Sequence, residues 1–130
     1  MEPVTIILVE DEGLLLLEFE TALTEGGFDV ASFSSSAKAV TYLNSEQNTA
    51  MGLITDIRLS SEEPDGWEIA RTARELDPDI AVVYVSGHGA ADWPAMGVPN
   101  SIMLEKPFAM PQLMTAISQL LNDRASSASE

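Results

Sequence analysis

Short apolar runs and amphipathic stretches succeed one another along this chain. Val4 to Val9 opens it, and within it Ile6-Ile7-Leu8-Val9 is continuously apolar, the pattern of a strand buried on both faces. Residues 13–25 then place Leu16, Phe19 and Leu23 at helical spacing, and Gly26-Gly27 supplies a stop. "FDVASF" (28–33) alternates apolar with polar residues, as a half-exposed strand does. A helix over 36–44 carries Ala39, Val40 and Leu43 on one face, and "MGLIT" (51–55) reads as a short buried strand. A polar loop, "SSEEP", follows. Asp65, three residues before Glu68, predicts a capping box opening a helix that runs to about Leu76, where Asp77-Pro78 ends it. "IAVVYV" (80–85) and "SIML" (101–104) are further strands. Pro111 sits where a first helical turn tolerates it, and Met110, Leu113, Met114, Ile117, Leu120 and Leu121 line one face of the last helix. The ending "RASSASE" is small and polar, and is expected to fray.

Strands alternating with helices imply parallel βαβ units with right-handed crossovers, an α/β domain with no internal repeat and no linker. One stretch breaks the rhythm. "GHGAADWPAMGVPN" (87–100) lies where a fourth helix belongs, yet it holds Pro94, Pro99 and several glycines. Proline costs roughly 3 kcal/mol inside a helix and glycine about 1. The fourth helix is therefore predicted to be short, distorted or missing.

Composition narrows the function classes. A length of 130 residues, 45% of them hydrophobic, suits one domain with a single core. No apolar stretch is long enough to span a membrane, and no basic segment followed by an apolar one marks a signal peptide. The absence of Cys excludes disulfides, thiolate metal sites and cysteine catalysis, and suits a cytoplasmic protein. Six basic residues against 21 acidic ones give a net charge of −15, which argues against direct binding to nucleic acid or to anionic membranes. Basic partner surfaces and divalent cations fit better.

The informative polar residues each follow a strand. Glu10, Asp11 and Glu12 follow the first, Asp56 the third, Ser86 the fourth and Lys106 the fifth. In open parallel sheets, ligands sit beyond the carboxyl ends of the strands, so one pocket accounts for the whole distribution. Two like charges ~4 Å apart repel by about 4 kcal/mol at an effective dielectric of 20. Clustered carboxylates must take up protons or recruit a cation. Oxygen-only donors favour a hard ion, Mg²⁺ first, then Mn²⁺ or Ca²⁺. A metal, a lysine, a hydroxyl and a lone carboxylate form a natural site for phosphoryl transfer onto that carboxylate.

At this point the chain resembles the receiver domain of two-component response regulators. The matching pieces are "ILVEDE" (7–12), "LITDIRL" (53–59) with "DG" at 65–66, "VVYVSGHG" (82–89) and "EKPF" (105–108). Each alone is weak; together, in order and spacing, they are specific. The resemblance implies a flavodoxin-like five-stranded parallel sheet in order 2-1-3-4-5 with helices on both faces. It implies a receiver domain over residues 1–123, leaving 124–130 as a flexible polar tail. Asp56 matches the residue that takes a phosphoryl group from a phosphohistidine on a histidine kinase or histidine phosphotransfer protein. Asp11 matches a direct Mg²⁺ ligand, Glu10 an acidic neighbour that holds the metal through water, and the backbone carbonyl of Arg58 a third protein ligand. Asp56 belongs to the same metal set. Ser86 matches the switch hydroxyl, Lys106 its lysine partner, and Pro107 a proline whose preceding peptide bond is usually cis in the family. Glu12 receives no role and is expected to face solvent.

Three residues before the lysine the family usually places an aromatic residue whose rotation follows the switch hydroxyl; here that position is Met103. Together with the weak fourth helix, this suggests that phosphorylation reorganises the 87–100 segment instead. His88 is expected to be an exposed loop histidine, and Trp67 a partly buried helix residue. Trp93 is either a core anchor for its segment or a partner contact. Taken singly, Asp56 reads as a loop cap, the acid triplet as a helix start, Ser86 as a turn residue and Lys106 as a surface lysine; only the set favours the phosphoacceptor. If 130 residues is the full chain, there is no room for an output domain, and a monomer or weak dimer with an unknown downstream protein target is expected. Three rival readings remain. The first is a receiver-like interaction module that is never phosphorylated. The second is an aspartyl-phosphate enzyme, whose second acid would stand at Arg58. The third is flavin binding, for which no Ser/Thr-rich loop follows the first strand.

Overall fold

The computed structural model describes residues 3–59 and 64–128, with side chains as far as residue 124. Strands β1 (Thr5–Val9), β2 (Asp29–Phe33), β3 (Gly52–Asp56), β4 (Ala81–Ser86) and β5 (Ser101–Glu105) form one parallel sheet in the order β2-β1-β3-β4-β5. Between them run α1 (Gly13–Glu25), α2 (Ser36–Leu43), α3 (Gly66–Leu76) and α4 (Trp93–Met96), and α5 (Met110–Ala128) ends the fold. The polar loop expected at 60–64 lies largely outside the described residues.

Strand periodicity divides the core into two layers. Ile7, Val9, Leu53, Val82 and Tyr84 point to one side, where they pack with Ala39 and Leu43 of α2 and with Trp67, Ile69, Ala70 and Ala73 of α3. Ile6, Leu8, Ile54, Ala81, Val83 and Val85 point to the other, against Phe19 and Leu23 of α1 and Leu113, Ala116 and Ile117 of α5. Successive residues of a strand face opposite sides, so a central strand of a sheet covered on both faces must be apolar throughout. That is the physical basis of the Ile6–Val9 run, whose members are all fully buried. Local signals hold the helix starts: Ser35 Oγ accepts the Lys38 amide at α2, and Asp65 Oδ1 accepts the Glu68 amide at α3.

The fourth crossover is as irregular as its composition requires. A three-residue 3-10 turn (Ala90–Asp92) runs into the single turn of α4. Side chains from outside hold the segment down. Tyr84 Oη accepts the Val98 amide at 3.1 Å, and Trp93 Nε1 donates to Ser101 Oγ, which in turn donates to the Val98 carbonyl. Arg74 of α3 donates to the carbonyls of Ile80, Pro99 and Asn100. Asn100 takes the left-handed conformation (φ 58°), which asparagine tolerates better than most residues. Trp93 is half-buried and held by Ser101, which gives geometry to its reading as an anchor.

One expectation is corrected. Trp67 is buried rather than partly buried, because its ring packs against Tyr84 with centroids 4.7 Å apart. The backbone of α5 continues past residue 123 to Ala128; that stretch lacks Gly and Pro, and Arg124 Nη1 is paired with Asp77 Oδ2 at 2.8 Å.

Candidate functional site

The carboxyl ends of β1, β3, β4 and β5 deliver the polar residues to one place. Glu10 and Asp11 leave β1, Asp56 is the last residue of β3, Ser86 is the last of β4, and Lys106 follows β5. Backbone bonds tie these ends together: the Ile57 amide donates to the Val85 carbonyl and the Lys106 amide to the Ser86 carbonyl. The α3 N-terminus closes on the end of β3, and only a glycine permits it. A Cβ on Gly66 would lie 2.1 Å from the Asp56 carbonyl oxygen. The Asp-Gly pair at 65–66 is therefore a cap followed by a close approach.

Carboxylate oxygens of Glu10, Asp11 and Asp56 lie within 4.8 Å of one another. Lys106 Nζ bridges two of them, at 3.0 Å from Glu10 Oε1 and 2.9 Å from Asp56 Oδ2. The second oxygen of Glu10 accepts the Glu12 amide, and Asp56 Oδ1 accepts the Arg58 amide at 3.3 Å. Ser86 Oγ accepts the amides of His88 (3.1 Å) and Gly89 (2.8 Å). Gly89 packs tightly there: a Cβ would sit 2.6 Å from Ile57 Cδ1 and 2.9 Å from Ser86 Oγ. Arg58, Glu12 and His88 are exposed, and Met103 is half-buried beside Tyr84 in the β4–β5 register. The Lys106–Pro107 peptide bond is cis.

Glu10 is 1% exposed, and burial, then the charge of Asp56, pushes its carboxyl from 4.5 up to about 7; the Glu12 amide and Lys106 oppose the rise. Burial alone lowers the Lys106 ammonium, but its hydrogen bonds to Asp56 and Glu10 outweigh that and raise it. Lys106 thus serves two of the three clustered carboxylates, and the site disfavours the ionised form of Glu10. The donors are all hard oxygens, and the arrangement fits a divalent cation of the Mg²⁺ type. Sequence patterns identified the polar residues and missed the packing that aims them. Gly89 and Tyr84 matter through contacts that no local motif encodes.

Comparisons with known proteins agree with this geometry. The response regulator receiver domain model matches residues 6–118. The response regulator receiver protein CpdR of Brucella abortus (strain 2308) is 33% identical over 118 residues, covering 89% of this chain and 95% of that protein. A crystal structure of a response regulator receiver protein from Sinorhizobium medicae WSM419 is 54% identical, with a TM-score of 0.90 over 95% of this chain and 98% of that one. Other relatives are longer: the sensor kinase CckA of Brucella abortus (strain 2308) is 30% identical over 120 residues, which make up 12% of that protein. Sheet order, acidic cluster and sequence match together place the chain in the response regulator receiver domain family.

Proposed function

We propose that Asp56 accepts a phosphoryl group from a phosphohistidine on a histidine kinase or histidine phosphotransfer protein, and that the resulting change of shape is read by a partner protein. The observation that carries this reading is the convergence of Asp56 with Lys106, Glu10 and Asp11 at the ends of three strands. In the transfer, the P–N bond of the donor breaks and a P–O bond to an Asp56 carboxylate oxygen forms. The electron pair stays on the imidazole nitrogen, which takes a proton from solvent. Asp11, Asp56 and the Arg58 carbonyl would hold Mg²⁺, or Mn²⁺ in its place, with Glu10 behind through water. The ion, when bound, neutralises charge on the transferring phosphoryl oxygens. Lys106 adds a second positive charge and Ser86 a hydroxyl donor.

Receiver domains are in general phosphoacceptors rather than enzymes acting on a separate substrate, and that is the role assigned here. Among the described residues no helix is long and apolar enough to cross a membrane. We place the protein in the cytoplasm, as a monomer or weak dimer, with a basic or locally apolar partner surface.

The test is a fluorescence titration. Trp67 lies against Tyr84 and Trp93 is tied to Ser101, so both report on the face next to Ser86. Saturable Mg²⁺ binding, followed by a beryllofluoride response present in wild type and absent in Asp56→Asn, is the expected result. No response in fluorescence or in NMR spectra would overturn the proposal and favour an interaction module that is never phosphorylated.

A further inference from the structure

The segment from Gly87 to Val98 is pinned to a single face of β4 at two points. At its start Ser86 Oγ accepts two amides, His88 and Gly89. At its end Tyr84 Oη accepts one, Val98. Ser86 and Tyr84 are two apart on a strand, so their side chains share a face. The two pins differ in kind. Ser86 is 2% exposed, and both acceptor positions of its oxygen are committed to the turn that follows. Tyr84 is fully buried, with its ring fixed by Trp67 and flanked by Met103 on β5. The far pin is reinforced, since the Val98 carbonyl is held by Ser101 Oγ, which also receives Trp93 Nε1.

Gly89 and Gly97 bracket the irregular stretch, and neither leaves room for a side chain. A Cβ at Gly97 would lie 2.4 Å from Trp93 Cδ1, as one at Gly89 would crowd Ile57 and Ser86. The stretch between them contains only the 3-10 turn and one turn of helix, too short to resist movement by its own hydrogen bonds.

We propose that Tyr84 is the positioning residue of this segment: its hydroxyl fixes the Val98 end as a pivot, and the Gly87–Gly97 stretch swings about that pivot when Ser86 gives up its two amides. The inference rests on the phosphoacceptor reading for what draws Ser86 away. Rotating the serine oxygen toward a phosphoryl group on Asp56 takes it from the His88 and Gly89 amides together, while nothing at Tyr84 changes. Tyr84 then does from β4, as a fixed point, part of what a rotating aromatic at the Met103 position would do from β5.

Hydrogen exchange resolved by residue tests the pivot in the free protein. Ser86→Ala is expected to raise exchange at His88 and Gly89 and leave Val98 protected. Tyr84→Phe, which keeps the ring, is expected to raise exchange at Val98 roughly tenfold and leave His88 and Gly89 unchanged, since one buried hydrogen bond is lost. With Mg²⁺ and beryllofluoride, the wild type should repeat the Ser86→Ala pattern, and Tyr84→Phe should loosen the whole segment. Unchanged Val98 exchange in Tyr84→Phe, or equal loosening of Val98 and Gly89 in Ser86→Ala, overturns the pivot. If beryllofluoride leaves the Arg58 amide of wild type unmoved, the phosphoacceptor reading fails instead, and the two variants in the free protein still decide the role of Tyr84.

Discussion

Glu10 is the residue by which this site most plainly works against the stability of the metal-free fold, and replacing it by glutamine measures the effect. Raising the carboxyl from 4.5 to about 7 disfavours its ionised form in the folded state by about 3 kcal/mol, at about 1.4 kcal/mol per pH unit. The sign follows from linkage. Below pH 4.5 the group is protonated in both states and costs nothing; as pH rises the unfolded chain releases the proton first, and stability falls until pH passes about 7. A glutamine side chain there keeps one oxygen for the Glu12 amide, turns its amide nitrogen toward Lys106 and carries no charge, so the variant fold should not feel that fall. Allowing for the weakened pairing with Lys106, Glu10→Gln should match wild type at pH 5 and exceed it by about 2–3 kcal/mol at pH 8 in EDTA. At about 2.1 cal/mol/K of unfolding entropy per residue, this is roughly 10 °C in Tm for a chain of 130 residues. Urea unfolding across pH 5 to 8 reads it, with a parallel series in saturating Mg²⁺, where wild type should recover and the variant gain less. A difference between the two proteins that does not change with pH would refute the reasoning, as would a less stable variant at pH 8.

Other outcomes follow from single contacts. Gly66→Ala would drive a Cβ to 2.1 Å from the Asp56 carbonyl oxygen, so α3 must shift; stability should drop by more than about 2 kcal/mol in urea, and the beryllofluoride response should weaken with it. Arg74→Ala removes a half-buried charged hydrogen bond to Ile80 (2.8 Å) and two exposed ones, and should cost about 2–4 kcal/mol by urea unfolding, Arg74→Lys recovering less than half. Trp93→Phe should cost about 1 kcal/mol through the lost bond to Ser101 and leave Mg²⁺ affinity unchanged in a fluorescence titration of Trp67.

The sequence told most where physics acts locally. Apolar runs revealed the central strands because burial on both faces demands them, and Pro94 with its neighbouring glycines revealed the reduced α4 because helices reject those residues. Strand order came from family resemblance, since apolar periodicity does not say which strands are neighbours. Contacts between distant residues stayed hidden. Lys106 meets Glu10 across 96 positions of sequence, and only the ordered set of motifs suggested that they belong together. Arg74 looks like any charged residue on the solvated side of a helix, yet it serves carbonyls some 25 residues away. Trp67 was placed on the right helix, but its depth depends on Tyr84, which no local pattern pairs with it.

The Arg74 clasp also bears on the order of folding. Its three acceptors lie at the start of β4 and in the turn before β5, so all of its bonds exist only once α3, β4 and the irregular crossover have docked. Interactions that form late contribute little to the folding transition state and act mainly on the rate of escape from the native state. The arginine would then serve as a brake on unfolding: its removal should steepen the loss of native protein with time while leaving the refolding rate nearly as it was.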